Sequence, residues 1–426
     1  MTAARRRAVP VAAFAMMAVA VAVGLWLARH DGRELGLPFP PFVGRWDPAA
    51  TAWAFAAAAL SGLAIWAAPR LLALPPAAFA AAVFALTLAL RLALGATSRG
   101  TSGWSGMFDL DGFEGPNEYL PALSALRYGP GFLLDRFAEL VPALPVHAAG
   151  HPPGLLLIMD ALGLDTAGRL AAFCIGAGAL VAPLAYAVGR AVTGERTARI
   201  AALLTAMAPS VLLFGATSAD AVFATAGMFA AWALADRRLG VRAIGAVLLA
   251  AASLLAWSLL AIGAWAALLA WRREGFRAMV VLALLCAAAL AAFYAVLAAA
   301  TGFDPIGTLR ATEQVYRFGI ADQRPYWFWV GGSPSAFLLM LGLPVAWLAF
   351  VALARGEDTA IAILAVLGIA AVAGFTKAEV ERIWLPFAPL VCLAAATVLR
   401  ERDLRPVLAL LAAQALAWEL LWNTVW

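Results

Sequence analysis

The sequence predicts an all-α, polytopic membrane protein of about thirteen transmembrane helices. Composition is the first ground: of 426 residues, 64% are hydrophobic and 13% charged, against about 45–50% and about 25% in soluble globular domains. Thirteen spans of about 20 residues would occupy about 260 positions. The second ground is a series of apolar runs near 9–28, 49–68, 76–95, 167–188, 199–214, 219–235, 242–256, 257–271, 278–300, 333–354, 359–375, 383–399 and 406–425. The third is the arginine placement between them, which repeats on alternate connections. A soluble enzyme, a disordered chain and a protein with one membrane anchor are excluded.

Taken in order, Arg5, Arg6 and Arg7 precede a first apolar run that resembles a signal peptide but is long enough to span. An uncleaved first helix with a cytoplasmic N-terminus is expected. Short connections then carry Arg190, Arg196 and Arg199; Arg237, Arg238 and Arg242; Arg272, Arg273 and Arg277; and Arg400, Arg402 and Arg405. All fall on one side, which the positive-inside rule makes cytoplasmic. The formal charge of +5 therefore speaks to topology and not to nucleic acid. Cys174, Cys286 and Cys392 lie in apolar runs and read as small core residues, without disulfide or metal spacing. There is no GxxxxGK[ST] nucleotide loop and no internal repeat of the kind many transporters carry.

Two long polar segments, 96–166 and 301–332, fall on the external side, and most of the acids go with them. The stretch Met107 to Tyr119 holds Asp109, Asp111, Glu114 and Glu118. Carboxylates just outside a bilayer are suited to act as a base or to hold a cation. The alternative is a hydrated loop whose acids balance Arg99, Arg127 and Arg136. Residues 118–126 and 132–141 carry helically spaced apolar positions beside charges, so two short amphipathic helices are expected on the outer surface. In His147-Ala-Ala-Gly-His-Pro-Pro-Gly154, two prolines mark the start of a helix too short to span. His151 at that start can meet a phosphate or relay a proton, or simply cap and pack.

Asp220 heads a helix, where the dipole favours an acid. Arg310, Arg317 and Arg324 are better suited to a phosphate than the neighbouring Tyr326 to Trp329, which fit a membrane-interface belt. Glu379, Glu381 and Arg382 stand at a span boundary, where unpaired charge is costly, so pairing with each other or with a ligand is expected.

These motifs together resemble the GT-C superfamily of integral membrane glycosyltransferases. The residues that carry the likeness are Asp109 to Tyr119, His151-Pro-Pro153, Gly189-Arg190 to Arg199, Asp220, and Glu379 to Pro389. The chain departs from the usual pattern in reading Asn117-Glu118-Tyr119 and in having Ile383 after Arg382. The likeness covers roughly 76–399, which implies an N-terminal transmembrane hairpin over 1–75, a catalytic membrane module over 76–400 and a terminal helix over 401–426.

The resemblance implies transfer of a sugar, with mannose as the first candidate, from a polyprenyl-phosphate donor to an acceptor hydroxyl on a glycolipid, glycan or protein. Transfer would occur with inversion, on the external face of a bacterial plasma membrane. It puts the base at Asp109 or Asp111, with Glu118 and Asp220 in support, and places His151, Arg317 and Arg382 near the phosphate. Glu114, Arg310, Arg324, Glu379 and Glu381 complete the substrate site. A Mg or Mn ion is an optional cofactor, with Asp109, Asp111 and Asp220 as its ligands. The loop acids, His151 and Asp220 are expected to line one pocket. Two rivals are an oligosaccharide polymerase or ligase and a transporter or flippase for a lipid-linked solute. The apolar runs, nearly free of internal charge, weigh against transport.

Overall fold

The structure, a computed structural model, describes residues 3–30, 35–424 and 426, without the side chains of residues 3–7. The side chains of Arg5 to Arg7 thus lie outside the described residues. The apolar runs fold as helices, but fewer are long enough to cross a bilayer than their number in the sequence suggests. Six qualify by length and composition: Ala8–His30, Trp53–Leu71, Pro76–Gly95, Ala167–Val192, Phe276–Thr301 and Glu401–Leu421.

Two further pairs qualify only if each bent pair counts as one span. Glu195–Met207 and Pro209–Thr217 meet at 56°, and Tyr326–Leu341 and Leu343–Arg355 meet at 114°. The breaks have local causes. Pro209 lacks the N–H that would continue the ladder, and Gly342 has a φ of +130° that few other residues adopt. Asp220–Leu234, Leu239–Ser253, Asp358–Ala373 and Leu385–Ala396 are apolar but short. A 15-residue helix rises about 22 Å, less than the ~30 Å hydrocarbon core. Among the described residues the chain is all-helical, with six helices long and apolar enough to span, or eight spans if each bent pair counts as one.

The chain divides into two compact units. The first contains residues 1–103, 174–228 and 324–426. Its centre is built from the most buried helices, Glu195–Met207, Pro209–Thr217 and Ala388–Ala396, of which the last two are buried at every position. Small residues (Ala, Gly, Ser and Thr) recur in these segments, so the backbones approach closely. Glu195–Met207 packs on both Val181–Val192 and Ala388–Ala396; Trp53–Leu71 packs on Pro76–Gly95 and Leu404–Leu421. Arg199 donates to the carbonyls of Leu72 at 3.0 Å and Leu74 at 2.5 Å, satisfying acceptors left over where Trp53–Leu71 ends. A two-residue antiparallel ribbon pairs Arg45 with Asn423 and Trp46 with Trp422.

The second unit contains residues 104–173 and 229–323. Leu239–Ser253, Leu260–Glu274 and Phe276–Thr301 pack together, and Arg242 bonds Glu274 at 2.6 Å. The first polar segment is ordered much as its pattern implies. Leu120–Tyr128 winds as a 3-10 helix, whereas Pro130–Leu140 is an α-helix that buries Leu133, Leu134 and Phe137 and exposes Asp135, Arg136 and Glu139. Gly154–Leu162 begins after the two prolines and ends at Gly163, whose left-handed φ of +63° stops it. At about 14 Å it is too short to cross. Pro305–Phe318, capped by Asp304 through the N–H groups of Ile306 and Gly307, packs on Pro130–Leu140.

A buried charge sits inside a span of the first unit. Arg91 is fully buried in Pro76–Gly95; its Nε donates to the Val211 carbonyl at 3.1 Å, and neither Nη atom has a hydrogen-bond partner. Gly178 and Gly215 lie directly against the guanidinium, and a methyl group at either position would overlap it. Gly215 is near the C-terminal end of Pro209–Thr217, where the helix dipole favours a cation. Gly215→Ala should therefore lower stability by about 1–3 kcal/mol through overpacking. Adding Arg91→Met to Gly215→Ala should recover most of the loss, as read by thermal unfolding in nanodiscs. Equal stability of Gly215→Ala and wild type would contradict this packing.

Candidate functional site

In the first unit, distant motif residues meet in one buried chain of ion pairs. Asp220 opens Asp220–Leu234 and is only 2% exposed. The Ser218 hydroxyl donates to its Oδ2 at 2.6 Å, while the Asp220 N–H donates to Ser218 Oγ at 3.1 Å. Arg382 Nη1 donates to the same Oδ2 at 2.6 Å, and Arg382 Nη2 donates to Glu379 Oε2 at 2.9 Å. Glu379 Oε1 in turn accepts from Arg324 Nη2 at 2.6 Å, and Arg324 Nη1 donates to the Lys377 carbonyl at 2.8 Å. The order is acid, base, acid, base. Two carboxylates and two guanidiniums therefore neutralise one another within the protein.

The backbone bends sharply to make this possible. Ala378 and Glu379 both adopt left-handed φ values, +63° and +56°. Such geometry costs of order 1 kcal/mol or more per non-glycine residue and persists only where surrounding contacts enforce it. The turn is held by Trp384 Nε1, which donates to Thr376 Oγ1 at 2.9 Å, and by the ion pairs themselves. Residues 35–43 cover it. Gly36 rests on the Arg324 stem, where a Cβ would come within 2.6 Å of Cγ, and the Val43 N–H donates to Glu381 Oε1 at 3.0 Å. The Trp426 indole lies over Arg382, with Cζ 4.4 Å from the ring centroid.

Glu381 is the fifth charge-bearing residue here, and its Oε2 has no hydrogen-bond partner. Burial pushes its carboxyl up to about 7; the nearby Glu379 carboxylate adds to the effect, while the Val43 N–H and Arg324 oppose it.

The second unit holds the loop acids. Glu114 and Glu118 flank the tight turn Gly115–Asn117, and both approach His147 on the short helix Val146–Ala149. His147 Nε2 is 3.7 Å from Glu114 Oε2 and 3.8 Å from Glu118 Oε1. Asn117 Nδ2 also donates to Glu114 Oε2, at 3.3 Å. Glu118 is 2% exposed, whereas Asp109 and Asp111 are exposed. Asp109 is engaged locally, its Oδ1 accepting the Asp111 N–H at 3.2 Å. The rings of His151 and Tyr119 lie 6.3 Å apart. Arg310 is exposed on Pro305–Phe318, and Arg317, two turns on, pairs with Glu313.

The expected residues thus fall into two sets. Asp220, Arg324, Glu379, Glu381 and Arg382 belong to the first unit; Asp109, Asp111, Glu114, Glu118, His151, Arg310 and Arg317 belong to the second. Two residues of interest escaped the sequence reading. His147 stands four positions before His151, in the same turn-rich string, and Arg91 is the sole charge in the 76–95 run. Asp220 Oδ2 is engaged by Arg382 and Ser218, and no group of three His, Cys, Asp or Glu among the described residues is arranged to hold a metal.

Comparison with protein-family models, with curated proteins and with solved structures finds no match to this chain.

The buried Glu381 carries a pH signature. Its carboxyl is ordinary at 4.5 when unfolded and about 7 when folded, so the native state holds the proton more tightly. Stability from this group is complete below about pH 4.5 and is lost as pH rises through about 7, by at most about 3 kcal/mol. Glu381→Gln lacks that loss. Thermal unfolding from pH 4.5 to 8 should show the variant gaining on wild type across that window, with the difference levelling off above it. A gap that does not change with pH would contradict the assignment.

Proposed function

We propose that this protein is a membrane glycosyltransferase of GT-C type, moving a sugar from a polyprenyl-phosphate donor to an acceptor hydroxyl. The observation that carries the proposal is Glu118: a buried, positioned carboxylate in the first polar segment, directly after an apolar span. General-base chemistry asks for that combination, since orientation and partial desolvation make a carboxylate a better proton acceptor than it is in water. Asp109 and Asp111 are exposed, so Glu118 is the better base.

In this proposal Glu118 takes the proton of the acceptor hydroxyl, and the oxygen attacks the anomeric carbon. The bond from that carbon to the phosphate oxygen breaks, and its electron pair leaves with the polyprenyl phosphate, inverting the centre. Arg310 is suited to meet the departing charge, because it is exposed and makes no ion pair among the described residues. Arg317 and Arg382, read from the sequence as phosphate ligands, already pair with carboxylates. No step is routed through a metal ion. The membrane location, external active face and mannosyl specificity belong to the same proposal.

Two observations favour transport as the second reading. Both bent helix pairs resemble the discontinuous helices of transporters, and Arg91 is an unpaired charge inside a span. Protein purified into nanodiscs and given polyprenyl-phosphate-mannose with candidate acceptors separates the readings. Sugar transfer predicts release of polyprenyl phosphate with a new glycosidic bond, and a kcat about 10²–10⁴ lower in Glu118→Gln, with Asp109→Asn and Asp111→Asn largely active. Full activity in a folded Glu118→Gln protein would remove Glu118 as base. Movement of a lipid-linked solute without bond cleavage would establish transport instead.

A further inference from the structure

We propose that His147 is the positioning residue of the loop acids: as an imidazolium it pairs with both Glu114 and Glu118 and so aims Glu118 at its proton. The inference rests on the sugar-transfer reading for the identity of the reaction, but the pairing itself stands on geometry alone.

Glu114 and Glu118 sit on either side of one tight turn and face the same ring nitrogen, at 3.7 and 3.8 Å. Two carboxylates confined together disfavour each other's charge unless a cation stands between them. The arginines that the sequence offered as balancing partners are engaged elsewhere. Arg136 pairs with Asp135 at 3.1 Å and with Glu139 at 3.1 Å on the exposed face of Pro130–Leu140, Arg127 lies over the Tyr128 ring, and Arg99 donates to Asn423. A histidine faces the two loop acids, and an imidazole is able to carry charge near neutral pH.

The helix Val146–Ala149 packs on Gly115–Asn117 and on Val141–Ala143. The latter carries no titratable side chain, and the former is bracketed by Glu114 and Glu118. His151 is the nearest titratable residue along the chain on the other side. Both nitrogen–oxygen separations exceed a good hydrogen bond, so in the resting chain the interaction is charge against charge. An imidazolium placed this way limits the rotamers of both acids and leaves Glu118 as a carboxylate, able to accept a proton.

The chain has three histidines, His30, His147 and His151, which makes the charge of one ring measurable. Full-length protein labelled with 15N-histidine is examined in nanodiscs, and the His147 signal is assigned from its loss in His147→Gln. At pH 7 the wild type should give the signature of a doubly protonated ring. Glu114→Gln and Glu118→Gln should each move that signal toward neutral imidazole. A neutral His147 in wild type, or a signal unmoved by both substitutions, would overturn the pairing.

The role in catalysis is read separately, with polyprenyl-phosphate-mannose as donor. His147→Gln and His147→Asn, checked for wild-type thermal stability, should lower kcat about 10²-fold and leave the donor KM unchanged. Retained kcat in both folded variants would overturn the positioning role. A wild type that transfers no sugar would defeat the glycosyltransferase reading and with it the catalytic clause, while the nitrogen signals still decide the pairing.

Discussion

Arg382 sets the terms for the first unit. One guanidinium bonds Asp220, at the head of a helix, and Glu379, on a strained turn 159 positions later in the chain; Glu379 then binds Arg324. Charges this deeply buried are expensive to bring out of water, and their mutual attraction offsets that expense only when every partner is in place. The chain of pairs therefore acts as an all-or-none clasp. It explains why Ala378 and Glu379 tolerate left-handed backbone, why position 36 is glycine, and why residues 35–43 close over charged groups.

The same electrostatics separates residues that look alike in sequence. Asp109, Asp111, Glu114 and Glu118 all fall within ten residues, yet the fold exposes the first two and turns the others toward His147. Gly115 decides part of this: a side chain there would overlap the Asp109 carbonyl, so the turn between the acids can close only on glycine. Arginines divide in the same way. Those of the first-unit clasp are neutralised by carboxylates, Arg199 serves helix-end carbonyls, and Arg91 rests against glycines at the end of a helix.

Much of the fold was legible in the sequence. Apolar runs became helices, the paired prolines before Gly154 began the short helix expected there, and Glu379 and Arg382 paired as charges at a span boundary should. What escaped was length and long-range partnership. Hydropathy does not register a bend, so the breaks at Ala208 and Gly342 and the shortness of several helices were hidden by continuous apolar composition. Asp220 was legible as a helix-head acid but not as the partner of Arg382, because no local pattern links positions 162 residues apart. His147 was passed over in favour of His151, whose neighbouring prolines gave a stronger local signal than burial, which sequence does not display.

The claim that the Asp220–Arg382 contact anchors the first unit is tested most directly by a double-mutant cycle. Unfolding free energies in nanodiscs would be measured for wild type, Asp220→Asn, Arg382→Gln and the double variant. A desolvated, charge-assisted contact predicts a coupling energy of at least about 1.5 kcal/mol. Losses from the two single variants that simply add, to within about 0.5 kcal/mol, would contradict it.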